Sequence, residues 1–324
     1  MKKLHELLRL DRQAGDFGVE IECEGANLVP VMSDIWNTVA DGSLRGAFPR
    51  ESCEWVFQKP LGIKEAIAAI ELLAKENEKA TLNFSFRTSV HVHVNVQELT
   101  FSQYMAFLYA YLIVEEPMMR FCGQQRLGNR FCLRIQDAEG MLDYVEAMSD
   151  IGHAFIRNIY EDKLRYASVN IAATKKYGSL EFRGMRGTLD TKVLSTWLTA
   201  LHRLRDFAIK CETPMQVHDL FVKSHVEDFL TEVFGDLSKE FYYQGAIDDV
   251  RRSFSLTLNI PYKFKRYVDN LKPEKEVKLA GNPHKRVIFD DIPPPRANER
   301  VDPPLFENIR WQDIAAQPVV EFYR

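Results

Sequence analysis

Between Asp16 and Gly25 the chain reads Asp-Phe-Gly-Val-Glu-Ile-Glu-Cys-Glu-Gly. Side chains in an extended strand alternate between two faces, so Glu20, Glu22 and Glu24 would line one face and Val19, Ile21 and Cys23 the other. Alone, that pattern is the acidic solvent face of an ordinary half-buried strand. Two later segments repeat the arrangement with different chemistry. Ser89 to Val96 sets His91, His93 and Asn95 opposite an unbroken valine face, and Ser179 to Met185 sets Glu181 and Arg183 opposite Leu180 and Phe182. With Glu54, from Ser-Cys-Glu-Trp-Val-Phe at Ser52 to Phe57, these rows supply hard oxygen ligands, imidazoles and a guanidinium. Mg²⁺ and Mn²⁺ accept such a mixture and accompany nucleotide phosphates. Attack on the terminal phosphate of ATP concentrates negative charge that metals and an arginine neutralise.

For the rows to act together, their strands must be neighbours in one twisted, largely antiparallel sheet of an α+β fold, with helices packed on the apolar face. The helices are legible too. Ile63 to Lys79 alternates Ala, Ile and Leu with Glu and Lys at helical spacing, and Thr100 with Gln103 forms a capping box opening a helix to about Val114. Asp190 caps a helix over Thr191 to Cys211, and Thr213-Pro214 starts another, with more helix to about Ser253. Tyr166 to Ala173 and Ser179 to Met185 read as a hairpin turning through Lys175 to Gly178, and Asn27 to Val39 as mixed, with a strand ending at Trp36. Arg126, Arg130 and Arg134 read as a mainly surface basic segment, one of which can reach a phosphate. The division is a catalytic domain at residues 1–265, with a helical insertion at about 100–160, and a proline-rich arm at 266–324 whose composition shifts from Lys272.

The 324 residues, 46% apolar and 27% charged, are those of a globular chain rather than a disordered one. A net charge of −4 gives no global reason to expect a nucleic-acid partner, although a local basic patch can hide within that average. Five separated cysteines without zinc spacing read as reduced, cytoplasmic thiols. Met1 to Arg12 is basic and amphipathic, a first surface helix rather than a signal peptide. The most apolar window, Phe107 to Val114, is too short to cross a bilayer and reads as a core helix ended by Glu115, Glu116 and Pro117, so no membrane partner is expected.

Several segments, taken in order, resemble the amidoligase family of phages and bacteria, carboxylate-amine ligases sharing the catalytic fold of glutamine synthetase and glutamate-cysteine ligase. They are Gly-Val-Glu-Ile-Glu at Gly18 to Glu22, Asp-Gly-Ser-Leu at Asp41 to Leu44, Cys-Glu-Trp-Val-Phe-Gln-Lys-Pro-Leu at Cys53 to Leu61, and His-Val-His-Val at His91 to Val94. Asn170 and Leu-Glu-Phe-Arg-Gly-Met-Arg-Gly-Thr-Leu-Asp at Leu180 to Asp190 complete the set. The resemblance implies metal ligands at Glu20, Glu22, Glu54, His91 and Glu181, with Glu51 a rival to Glu54. It implies that His93 faces nucleotide phosphate or substrate and that Arg183 neutralises the transferred phosphoryl group. Asn170, Arg186 and Asp41 match family positions with less defined roles, Asn170 and Arg186 being placed toward the nucleotide. The implied activity is ATP- and Mg²⁺-dependent amide formation through an acyl phosphate, joining a small-molecule or peptide carboxylate to an amine, in a possible homo-oligomer in the cytoplasm, that of the host if phage-encoded. Two alternatives stay open: a guanidino-kinase-like phosphotransferase, and a non-catalytic module that retains the fold.

Overall fold

The computed structural model describes residues 2–159 and 165–271; residues 272–324 of the proline-rich arm lie outside them. Seven strands form one open sheet: β1 Phe17–Ala26, β2 Trp36–Val39, β3 Ser52–Phe57, β4 Thr81–Asn83, β5 Ser89–Asn95, β6 Val169–Asn170 and β7 Ser179–Arg186. Their order is β2-β3-β1-β5-β7-β6, with β4 also pairing β1, and every pairing is antiparallel. The protein is therefore mixed α and β around an antiparallel sheet, as the alternating rows predict.

The alternation determines what each face does. Val19, Ile21, Cys53, Trp55, Val90, Val92, Val94, Leu180 and Phe182 are all buried in the core. Helices Ile63–Glu76, Phe101–Cys122 and Thr191–Cys211 pack over that face, and helices Pro214–Lys223 and Ala246–Leu256 close over Phe101–Cys122 from the far side. Burying apolar surface at about 25 cal/mol per Å² drives this layering, leaving the opposite face of the sheet to the polar rows. The caps act as read: Thr100 Oγ1 accepts from Gln103 N, Asp190 Oδ1 from Val193 N and Thr213 Oγ1 from Gln216 N.

Several expectations are corrected. The segment from Tyr166 pairs with β7 only through Val169 and Asn170, and Ala173–Tyr177 forms a helical turn in place of a simple hairpin. Trp36 begins its strand rather than ending one. The helix from Phe101 does not stop at about Val114 but runs through Pro117 to Cys122, buried in the core. Arg126 is completely buried rather than at the surface. The last described helix, Asn259–Asn270, also runs across the boundary placed at residue 265. No described helix is long and apolar enough to cross a membrane.

The central helix survives its acidic, proline-containing stretch because the acids find partners. Glu115 accepts from Ile135 N at 2.8 Å and from the Ser168 hydroxyl, while Glu116 accepts from Arg134 at 2.7 and 3.0 Å. Burial pushes the Glu115 carboxyl up to about 7 from 4.5, against the lowering effect of those hydrogen bonds. Between these values the folded protein keeps a proton that the unfolded chain releases, so stability present below pH 4.5 is lost as pH rises toward 7. At about 1.4 kcal/mol per pH unit the interval is worth on the order of 3 kcal/mol. Glu115→Gln removes this dependence. Urea denaturation at pH 5 and pH 7.5 is expected to show the variant gaining about 2–3 kcal/mol on the parent at the higher pH; parallel profiles would refute the account.

Candidate metal centre

Register brings the polar rows together. Glu20 lies opposite His91 and Glu22 opposite Ser89 across β1 and β5, Glu22 opposite Glu54 across β1 and β3, and His93 opposite Glu181 across β5 and β7. Asn170 of β6 is opposite Glu181. Gly18 faces His93, and a Cβ there would come within 3.3 Å of the His93 Cβ, so the glycine leaves the imidazole its place.

At the centre, Glu20 Oε2 is 3.2 Å from His91 Nδ1 and Glu20 Oε1 is 3.5 Å from His93 Nε2. Donor atoms of Glu20, His93 and Glu181 all lie within 4.8 Å of one another. His91 is differently committed: Nδ1 meets Glu20, while Nε2 is 2.9 Å from Ser89 Oγ, which also bonds Glu22. The triad thus uses His93, where the resemblance implies His91 as ligand; His91 braces Glu20 and lies 3.7 Å from Glu181. Arg183 pairs with Glu181 Oε1, and Asn170 donates to Glu181 Oε2 at 2.7 Å.

The site has two lobes that share Glu20, Arg165 and Arg183. One, about 270 Å³, holds His93, Asn170 and Glu181; the other, about 290 Å³, holds Glu22, Asp41, Glu54, Ser89 and His91. Glu54 lies in the second lobe, whereas the exposed Glu51 accepts from Ala47 N in its own loop, which favours Glu54 as the ligand. Asp41 Oδ1 accepts from Ser43 N at 2.6 Å, so the carboxylate also shapes its turn. Arg186 donates to the Phe121 and Cys122 carbonyls at 3.2 Å, which commits that nitrogen to the end of the central helix. A larger cavity, about 730 Å³ and bordered by Arg12, Asp16, Asn95 and Arg205, lacks the carboxylate-imidazole set.

Charge divides the acids into two groups. Burial opposes ionisation of Glu20, but hydrogen bonds to His91 and His93 outweigh it and hold the carboxyl well below the usual range. Glu181 is likewise lowered: burial opposes its charge, and Arg183 and then the two histidines prevail. Glu22 is raised by burial despite His91 and Ser89, with Asp41 adding repulsion. Burial, followed by the charges of Glu20, Glu22 and Asp41, pushes Glu54 up to about 8. More carboxyl groups are crowded here than the local cations balance, and a divalent ion suits that donor set.

Sequence reasoning missed Ser89, Arg87 and Arg165 in this cleft. A serine beside His-x-His carries no signal by type, but the arginines had one: Phe86-Arg87, Arg130-Phe131 and Arg165-Tyr166 repeat an aromatic-arginine neighbour pair. No protein-family model matches the chain, and no curated protein matches it.

Proposed function

We propose that the protein is an ATP-dependent carboxylate-amine ligase of the amidoligase kind, on a catalytic fold like that of glutamine synthetase. The observation that carries this reading is the convergence of Glu20, His93 and Glu181 donor atoms within 4.8 Å, with Arg183 bonded to the same glutamate. The antiparallel sheet, polar on one face and helix-covered on the other, supports it.

In this reading Glu20, His93 and Glu181 would hold one Mg²⁺ or Mn²⁺, with Glu22 and Glu54 in the adjoining lobe. When bound, such ions offset charge on the ATP phosphates. Asn170 and Arg183 fix the Glu181 carboxylate, while His91 and Ser89 orient Glu20 and Glu22. Arg183, half-buried beside the triad, supplies fixed positive charge where the phosphoryl group is transferred. The substrate carboxylate attacks the γ-phosphorus, ADP leaves, and an acyl phosphate forms. The amine nitrogen then attacks the acyl carbon, phosphate leaves with one original carboxylate oxygen, and the nitrogen loses a proton.

That oxygen provides the test. Pooled acids labelled with ¹⁸O in the carboxylate are incubated with amines, ATP and Mg²⁺, and released phosphate is analysed by mass spectrometry. One labelled oxygen per phosphate is expected, along with a product formed by loss of water. Phosphorylation of a nitrogen acceptor without label transfer would instead indicate a guanidino-kinase-like phosphotransferase, and absence of Mg²⁺-dependent nucleotide binding a non-catalytic module.

A further inference from the structure

The metal-binding acids do not account for the row of rings and guanidinium groups along one side of the cleft. Phe86 and Phe131 stack with centroids 6.1 Å apart, and Phe131 meets Tyr166 edge-on at 5.8 Å. Each ring carries an arginine: Arg87 is 4.9 Å above Phe86, Arg130 4.8 Å above Phe131, and Arg165 5.0 Å above Tyr166. Three stretches far apart in sequence therefore build one strip. Phe86 is 45% exposed and Tyr166 38%, so two rings of the strip present surface to solvent.

The strip is continuous with the candidate site, since Arg87, Phe131, Arg165 and Tyr166 also line the lobe containing Glu22 and Glu54. Arg87 Nη1 donates to the Ser43 carbonyl at 2.9 Å, whereas its buried Nε has no hydrogen-bond partner. A guanidinium stacked on a ring keeps its N–H edge available for an anion. Rings that can receive planar groups, alternating with guanidiniums that can receive phosphates, are the chemistry by which single strands are held. The strip reaches past the lobe to Phe86 and Arg130, farther than a compact amino acid would need.

We propose that this strip binds single-stranded nucleic acid, which carries the reacting carboxyl or amine into the cleft. The second clause rests on the ligase reading; the binding surface does not. The overall charge of −4 conceals this local patch of cations.

The test is fluorescence anisotropy with a short fluorescein-labelled oligothymidylate, at low salt with Mg²⁺, on the full chain and on Phe86→Ala and Arg130→Gln. Both substitutions are at partly or fully exposed positions, and circular dichroism together with Mn²⁺ binding checks that fold and metal centre are intact. Binding is expected to weaken about tenfold on loss of a ring and to fall with added salt, while Mn²⁺ affinity is unchanged. The proposal is overturned if the oligonucleotide does not bind, if neither substitution weakens it, or if the substitutions weaken ATP binding instead. Failure here alongside label transfer with free acids would sink only the strip; oligonucleotide binding without label transfer, once an ¹⁸O-carboxylate-bearing oligonucleotide is included among the acids, would sink only the ligase reading.

Discussion

In the proposed ligase, Glu20→Gln is expected to lower kcat/KM at least about a thousandfold and to weaken Mn²⁺ binding, because one carboxylate serves the whole candidate site. Glu20 reaches both imidazoles, belongs to the triad with His93 and Glu181, and borders both lobes of the cleft. Glutamine keeps the shape and removes the charge. A metal contributes several kcal/mol of transition-state stabilisation, and each 1.4 kcal/mol is about tenfold in rate. Glu181→Ala should cost as much, and the double variant little more than either single one, since residues serving one centre are strongly non-additive. Glu51→Gln is the control, because its carboxylate bonds Ala47 N in an exposed loop and should leave the rate near that of the parent. Steady-state kinetics with Mn²⁺ paramagnetic resonance would read both effects; a Glu20→Gln variant of near-normal rate would remove the candidate metal centre from the proposed mechanism.

The acid and histidine rows were legible because strand alternation and antiparallel pairing are nearly sufficient to place them. Once β5 lies beside β1, the choice of face sends Glu20 and His91 to the same side, and Val19 and Val92 to the other. Helix caps such as Asp190 were legible for the same reason, the bond spanning only three residues. What sequence could not give depended on partners far along the chain. Glu115, Glu116 and Pro117 look like the end of a helix until Ile135, Ser168 and Arg134 are placed beside the acids. Ala173 to Tyr177 lies between two strand-like runs, yet its backbone closes a helical turn capped by Gly178 in the left-handed region, at φ 68°. The choice of His93 over His91 for the triad also escapes a strand reading, since both imidazoles share a face and meet Glu20, and their serine partners differ, Ser89 for His91 and Ser179 for His93.

Arg126 shows how far a tertiary partner can override residue type, and it carries the largest expected effect on stability. Its side chain is 0% exposed and donates to four carbonyls: Gly184 at 3.0 Å, Arg183 at 2.8 Å, Thr88 at 3.3 Å and Phe86 at 3.4 Å. These flank the place where β5 and β7 shift register between Val90 and Val92, an irregularity that leaves backbone groups outside the ladder. A planar guanidinium can reach several of them at once, which neither lysine nor a neutral side chain can do. Arg126→Ala leaves buried carbonyls without a donor and opens a cavity, and is expected to cost about 4–5 kcal/mol, a large share of the 5–15 kcal/mol typical of a folded chain. Arg126→Lys should cost about half as much and remain folded. Because Arg183 borders the irregularity and pairs with Glu181, the lysine variant should also bind Mn²⁺ more weakly, although it alters no ligand. Guanidinium denaturation combined with Mn²⁺ titration would separate the two effects. A loss below 1 kcal/mol for Arg126→Ala would mean that the register shift is held by the strands themselves.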